Sequence, residues 1–420
     1  MGSIDSKKLH SSGSITPPAT PTTPSHSKNN SASSEYLASL SSLRHGDSTA
    51  SRTSRPSLDE SCRPASTEPL LFPHHLTDYG IQLDGKGRKK PIGAGAWSDV
   101  FMATPTLPAA DQPAASYSAA PAMTPPATPV HSRNSSTAQE NMPAIPQLYA
   151  IKVPASTSAK KVLSAEAKVL SYLSRFPNAN DHVVPFFGQD LRTGALVLQA
   201  MDGTLEDWIQ TNLNGLDDTA RAQKLASTFP ALALSLINSL IWLQDKDCVH
   251  ADIKPSNILY TKSATTAPHL VFSDFSSTIL TTLNDTDPTP PPMGAGTWDF
   301  LDPSLLSSKS PATPSASTDL YSLAITLLFL ILGTSPYDIF KNNKFQQREI
   351  IKYGDPLQYM RHDDEGIKNL RKLNSLSRDL GFDVQKWLAK VLVKDQSRRV
   401  EIVEWREELV VRTEGGKAKI

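Results

Sequence analysis

The chain has 420 residues with 42 basic and 42 acidic side chains, a formal charge of zero, so no overall basic field points to nucleic acid. Its 33 prolines gather with Ser and Thr in stretches that cannot bury much apolar surface, so the foldable part is shorter than the length suggests. Only Cys62 and Cys248 are present, and no apolar N-terminal segment precedes a cleavage-like site, which argues against a disulfide framework and secretion and predicts a cytoplasmic protein, with nuclear or peripheral-membrane placement left open.

Residues 1–76 are rich in Ser, Thr, Pro and Asn without an apolar period and read as a disordered tail. The tail begins Met1-Gly2-Ser3-Ile4-Asp5-Ser6, an N-myristoylation pattern followed by Lys7-Lys8, against which stands a chance match on a polar tail. A single acyl chain on Gly2 binds membranes only weakly, so attachment would lean on Lys7 and Lys8. The phrase Thr16 to Pro21 recurs as Thr124 to Pro129, each followed by His-Ser, a basic residue and Asn. Thr16, Thr20, Thr23, Thr124 and Thr128 all precede Pro and suit a proline-directed upstream kinase; low-complexity drift is the plainer alternative.

Strands are expected at Ser98 to Ala103 and Leu148 to Val153, adjacent in a hairpin that an insert at 104–146 interrupts. Such an excursion is tolerated because loop-closure cost grows only with the logarithm of length. A helical segment follows around Lys160 to Arg175, then strands near Val183 to Gln189 and Ala195 to Met201, and a helix from about Thr228 to Lys246. The apolar run Leu320 to Gly333 falls short of the roughly 20 residues of a membrane span and reads as a buried core helix. Helical periodicity continues almost to the end, with turns at Gly333 to Tyr337 and around Gly381. The pattern predicts an α+β, two-lobed domain over 77–412, small and sheet-rich first, large and helical second, with a short tail at 413–420.

The segment Val249 to Tyr260 reads VHADIKPSNILY, and Ser273-Asp274-Phe275 follows. A His, a carboxylate, a Lys two residues on and an Asn five residues after the carboxylate share one tight loop, with a second carboxylate downstream. That set can orient a hydroxyl, hold magnesium and neutralise a moving phosphoryl group. The loop resembles the catalytic loop of eukaryotic protein kinases. The resemblance implies the bilobal kinase fold and a serine/threonine kinase that moves the γ-phosphate of MgATP to protein substrates. Asp252 would be the base, Lys254 would sit near the γ-phosphate, and Asn257 and Asp274 would hold the Mg2+ ions. His250 and Phe275 would be structural.

Upstream, Ile92-Gly93-Ala94-Gly95 resembles the strand-turn-strand that covers ATP phosphates, where glycines let backbone N–H groups come close. Lys152 would contact the α- and β-phosphates and be held by Glu166, which otherwise reads as a solvated helix charge. The resemblance makes Val100, Ala150 and Leu259 the adenine sandwich, Leu198 the gatekeeper, and Gln199 to Met201 the hinge. The stretch Gly296 to Pro303 resembles the substrate-facing loop in which the Thr297 hydroxyl bonds the catalytic Asp and Lys. Together with Lys254-Pro255 it sets the chain apart from small-molecule phosphotransferases, which share a His-x-Asp and Asn. Asp319 would brace the catalytic loop from the start of a core helix, or serve as an ordinary N-cap.

Three letters depart from the family pattern. Ala251 stands where an Arg commonly pairs with an activation-loop phosphate, implying activity without that switch. Ser276 replaces a Gly whose freedom lets the magnesium loop flip. Ser304 replaces the Glu that pairs with Arg399, so Arg399 is either solvated or taken by a neighbour such as Asp302. A catalytically weak pseudokinase scaffold is the alternative that Ser276 and Ser304 motivate. Neither the tail nor the insert carries a recognisable binding module, and nothing in the sequence sets an oligomeric state.

Overall fold

The computed structural model describes residues 68–107, 145–263, 267–281, 298–306 and 312–417. Gly2, the Thr-Pro threonines, Cys62 and Thr297 lie outside the described residues.

Strands β1 (Asp78–Ile81), β2 (Pro91–Ala94), β3 (Ser98–Thr106), β4 (Tyr149–Pro154), β5 (Phe186–Asp190) and β6 (Ala195–Gln199) form one antiparallel sheet. Its order is β1-β3-β4-β6-β5, with β2 also pairing β3. Side chains alternate across a strand, so each face takes every second residue. Ala150, Leu196 and Leu198 join the main core with Leu163, Ala167 and Leu170 of α1 (Ala159–Leu173). Ala103, Tyr149, Ile151, Ala195 and Val197 form a separate cluster on the other face.

That second face is closed by residues the sequence reading assigned to the tail. Leu70-Leu71-Phe72 lies along β5, with Phe72 N–H donating to Gln189 O at 3.0 Å and Gln189 N–H to Leu70 O at 2.8 Å. Phe72 is only 4% exposed. The ordered chain therefore begins before residue 77, because three apolar residues between Pro69 and Pro73 anchor it while being too few to show a period. The insert also starts later than residue 104, since β1 supplies partners for Thr104, Pro105 and Thr106. β3 and β4 are nonetheless direct partners across it, Ala103 opposite Tyr149.

After the short α2 (Leu205–Ile209), the second lobe is helical around α3 (Asp218–Gln244) and α4 (Ala316–Leu332). The α3 helix starts ten residues before the expected Thr228 and runs through Pro230. An interior proline costs a helix about 3 kcal/mol. Offsetting it, Asp217 caps the start by accepting from Thr219 N and Ala220 N, and Leu225, Phe229 and Leu232 are buried. By length and composition α3 could cross a membrane, yet half of its apolar window is buried inside the protein. The expected core helix is α4, buried from Thr318 to Leu332 and ended by Gly333 at φ +82°. Then come α5 (Lys344–Tyr353), α6 (Pro356–Tyr359), α7 (Asp363–Leu380), α8 (Val384–Ala389) and α9 (Ile402–Lys417). The last helix, with Leu409 in the core, runs to Lys417, into the stretch from residue 413 that was expected to be a tail.

Gly188 tests the N-terminal anchor. Its φ is +126°, and a Cβ there would lie 2.5 Å from the Leu71 carbonyl carbon and the Phe72 nitrogen. Gly188→Ala is expected to lose about 1–3 kcal/mol from backbone strain alone and to lower the thermal midpoint by several degrees in a melt followed by circular dichroism. An unchanged midpoint would contradict the docking of Leu70 to Phe72 on β5.

Candidate active site

The cleft between the lobes gathers residues far apart in sequence. Lys152 on β4 points its ammonium at Glu166 of α1, with Nζ 2.8 Å from both carboxylate oxygens, and also lies 2.8 Å from Asp274 Oδ1. Burial pulls the Lys152 pKa down, but the Glu166 and Asp274 charges outweigh it and hold the ammonium well above its usual range. Burial likewise pushes Asp274 up, and the Lys152 charge and hydrogen bond, with Ser276 adding to the pull, leave it well below the usual carboxylate range. Glu166 is buried and so is no solvated helix charge; burial raises its pKa against the pull of Lys152. Its Oε1 also accepts the Phe275 N–H at 3.1 Å, which ties α1 to the Asp274 turn.

The His250–Asn257 loop is held by its own hydrogen bonds. Asp252 Oδ2 accepts from Lys254 Nζ at 2.8 Å and from Asn257 Nδ2 at 2.9 Å. The Asn257 amide nitrogen also donates to Asp252 O, and Asn257 O accepts from Ser273 N and Oγ, so this loop and the strand before Asp274 move together. His250 is fully buried with its ring centroid 4.8 Å from that of Phe275. Burial lowers its pKa, and the network assigns a neutral imidazole whose Nε2–H donates to Ser273 O while Nδ1 accepts from Asp252 N–H.

Asp319 sits at the fourth position of α4, and that helix is capped by Ser315 through a capping box with Thr318. The Asp319 carboxylate instead accepts the amides of His250, at 2.6 Å, and Ala251, at 2.9 Å. Burial pushes its pKa up to about 7, with both amides pulling the other way. Ala251 holds φ +64°. A left-handed non-glycine residue costs roughly 1–2 kcal/mol, and the amide bonds to Asp319 fix it there.

Ala150 and Leu198 face each other across β4 and β6 and are buried, and Val100, Leu259 and Met201 are half-buried against the same core cluster. Ile92 is exposed on β2, Gly93 pairs with Val100, and Gly95 N–H donates to Ser98 O at 2.8 Å. Gln199 N–H donates to Pro185 O at 3.0 Å, and the Met201 sulfur accepts from Thr261 Oγ1 at 3.5 Å. Among the described residues no cluster of three or more His, Cys, Asp and Glu could hold a metal by itself. The fit to magnesium rests on a different donor set. Asp274 offers a carboxylate kept ionised, and Asn257 Oδ1 accepts no hydrogen bond among the described residues. A pair of oxygen donors that leaves room for substrate phosphates is the usual pattern for that ion.

Ser304 does not leave Arg399 without a partner. Asp302, fully buried, lies 2.5 Å from Arg399 Nη1 as an ion pair, and its other oxygen accepts from Ser304 N and Oγ at 2.9 and 2.7 Å. Gln396 Nε2 donates to Ser304 Oγ, and Arg399 also donates to the carbonyls of Val393 and Ser317. The carboxylate has moved two residues, and the serine orients it. The sequence reading missed the support behind α1: Ser171 Oγ accepts the Leu70 N–H at 2.7 Å, and Arg175 reaches Glu68 O. The Leu-Leu-Phe triplet after a polar tail is its only sequence signal.

With this geometry goes a family. The model of the protein kinase domain matches residues 140–409, and the chain belongs to the eukaryotic protein kinase superfamily. That match begins after the Gly-rich strands, on the far side of most of the insert. Over 201 residues the chain is 27% identical to the serine/threonine-protein kinase ISR1 of Saccharomyces cerevisiae, covering 45% of each. Over 184 residues it is 24% identical to the dual specificity mitogen-activated protein kinase kinase sek-1 of Caenorhabditis elegans, covering 41% of this chain and 49% of that one. The serine/threonine-protein kinase TOS3 of S. cerevisiae matches at 24% over 183 residues, 41% of this chain and 30% of that one. The chain thus spans less than half the length of these curated relatives.

Removing one member of a buried ion pair leaves an uncompensated charge, which costs about 3–5 kcal/mol. Asp302→Ala is expected to destabilise the protein by that amount in urea unfolding. The double variant with Arg399→Met should recover part of the loss, and strict additivity would contradict a direct coupling.

Proposed function

We propose that this kinase is catalytically active, uses MgATP and phosphorylates serine and threonine hydroxyls of proteins. The observation that carries the reading is the Lys152 ammonium set 2.8 Å from Glu166 and 2.8 Å from Asp274, beside an intact Asp252–Lys254–Asn257 set. Asp252 orients the substrate hydroxyl and accepts its proton. Lys254, already 2.8 Å from Asp252, lies where it can neutralise charge that builds on the transferred group. Lys152 holds the nucleotide phosphates, and Glu166 positions Lys152. Magnesium, held by Asn257 and Asp274, would supply the positive charge that phosphoryl transfer needs on the phosphate oxygens. Val100, Ala150, Leu198 and Leu259 offer the apolar slot for adenine, with the backbone of Gln199 to Met201 reading its edge.

Neighbouring support goes to the active reading over a scaffold. Of the two departures that favour a scaffold, Ser304 is matched by the Asp302–Arg399 pair, and Ser276 leaves the Asp274 carboxylate ionised. Two of the relatives are serine/threonine kinases and one is a dual specificity kinase, which favours hydroxyls of Ser and Thr as the targets. Gly2 acylation and phosphorylation of the Thr-Pro sites by a proline-directed kinase belong to the same proposal, as ways to localise and control the enzyme.

Purified full-length protein with radiolabelled ATP, magnesium and a mixed protein substrate is expected to yield phosphoserine and phosphothreonine. Replacing the general base in Asp252→Asn should cut the rate by about 10²–10⁴-fold. Transfer no greater than that variant's background would leave the scaffold reading standing, and phosphotyrosine as the sole product would overturn the Ser/Thr assignment.

A further inference from the structure

Away from the cleft, α3 and α7 border an open cavity of about 490 Å³, within the range that small-molecule sites occupy. Five cationic side chains line it, Arg221 from α3 and Lys368, Arg371, Lys372 and Arg378 from α7, against one lining carboxylate, Asp218. Residues three and four apart share a helix face, so positions 368, 371, 372 and 375 make one stripe.

The charges on this stripe are unequally compensated. Lys368 pairs with Glu365 at 3.0 Å, and Arg378 lies 3.7 Å from Asp379. No carboxylate among the described residues lies within ion-pair reach of Arg221, Arg371 or Lys372. Arg221 is 5% exposed, and while its Nη2 donates to Ile331 O at 2.8 Å, its Nε has no acceptor. Lys372 donates to the neighbouring carbonyl of Leu332. Burial lowers the pKa of both; Asp218 pulls the other way on each, and for Lys372 the Arg221 charge adds to the lowering while Glu365 also opposes it. That Arg221 Nε is closed to solvent, so what a ligand would answer is the cationic lining as a whole, in which Asp218 is the one carboxylate.

We propose that this cavity is a binding site for a small organic phosphate. Guanidinium groups grip phosphate in a bidentate manner, and a phosphate monoester carries about −1.5 to −2 charges at neutral pH, enough to answer several of the unpaired cations at once. The volume exceeds what a bare phosphate fills, and Leu225, Leu376 and Ala222 give the remainder an apolar wall for a carbon skeleton. The site lies outside the Lys152–Asp252 cleft, so it acts as a second, non-catalytic ligand site.

Isothermal titration calorimetry of the full-length protein with glycerol 3-phosphate, glucose 6-phosphate and phosphoserine tests this. At least one monoester is expected to bind with a sub-millimolar Kd that Lys152→Met does not change. Arg371→Gln, at an exposed position with no bond into the core, should weaken binding by roughly fivefold or more, and Arg221→Met should abolish it. Arg221 also holds the Ile331 carbonyl, so Arg371→Gln carries the test if Arg221→Met does not fold. Absence of binding by all three monoesters, an unchanged Kd in Arg371→Gln, or equal affinity for citrate would overturn the assignment. A phosphothreonine peptide binding at least about tenfold tighter than every monoester would overturn it too, making the cavity a peptide dock.

Discussion

One ammonium group, Lys152 Nζ, stands 2.8 Å from carboxylates on two other elements, Glu166 of α1 and Asp274 of the turn after the strand His269–Phe272. Lys152 and Glu166 are buried, and each charge would cost several kcal/mol there alone, while Asp274, its side chain 37% exposed, completes the set from the cleft side. That requirement fixes α1 against the sheet and the Asp274 turn against both. The Phe275 amide on Glu166 and the Phe275 ring against His250 carry the same constraint into the second lobe. Behind α1, Ser171 and Arg175 are held by the backbone of Glu68 and Leu70, so the chain's entry onto the sheet supports the helix that presents Glu166.

The second lobe holds its side of the cleft by a similar device. Asp319 is a carboxylate inside an apolar helix, and what it receives there is the pair of amides that set His250 and Ala251. A residue forced to φ +64° just before Asp252 would otherwise relax toward the right-handed region. Lys254 and Asn257 hold the Asp252 carboxylate in one orientation, the preorganisation that its proposed role as base would draw on. None of these contacts calls on a phosphate, in keeping with Ala251 where an Arg would have met one.

Much of this was legible in the residues because the chemistry fixes their spacing. His250, Asp252, Lys254 and Asn257 share one loop, so their order in the chain is their order in space. Lys152 and Glu166 could be joined because a strand and the helix after it bring a pair fourteen residues apart together. Less legible were features set by contacts between distant segments. Asp302 and Arg399 are 97 positions apart, and only the fold decides that Asp302, oriented by Ser304, takes the place of the missing Glu. Leu70 to Phe72 showed no period, and α3 hid its first turns behind Pro230, whose penalty burial and the Asp217 cap offset. The cationic cavity joins Arg221 to an α7 stripe nearly 150 residues on, a distance no local pattern spans.

On the proposed reading carboxylates and one shared ammonium, rather than a phosphate within residues 282–297, assemble this site. The most direct measurement is the phosphate-transfer rate of full-length protein treated with phosphatase, verified by mass spectrometry as unphosphorylated, against untreated protein. The rate should stay within a few-fold, since the groups that set Asp252, Lys152 and Asp274 are all unmodified side chains and backbone amides. A fall to the Asp252→Asn background, restored only when residues 282–297 are phosphorylated again, would contradict it.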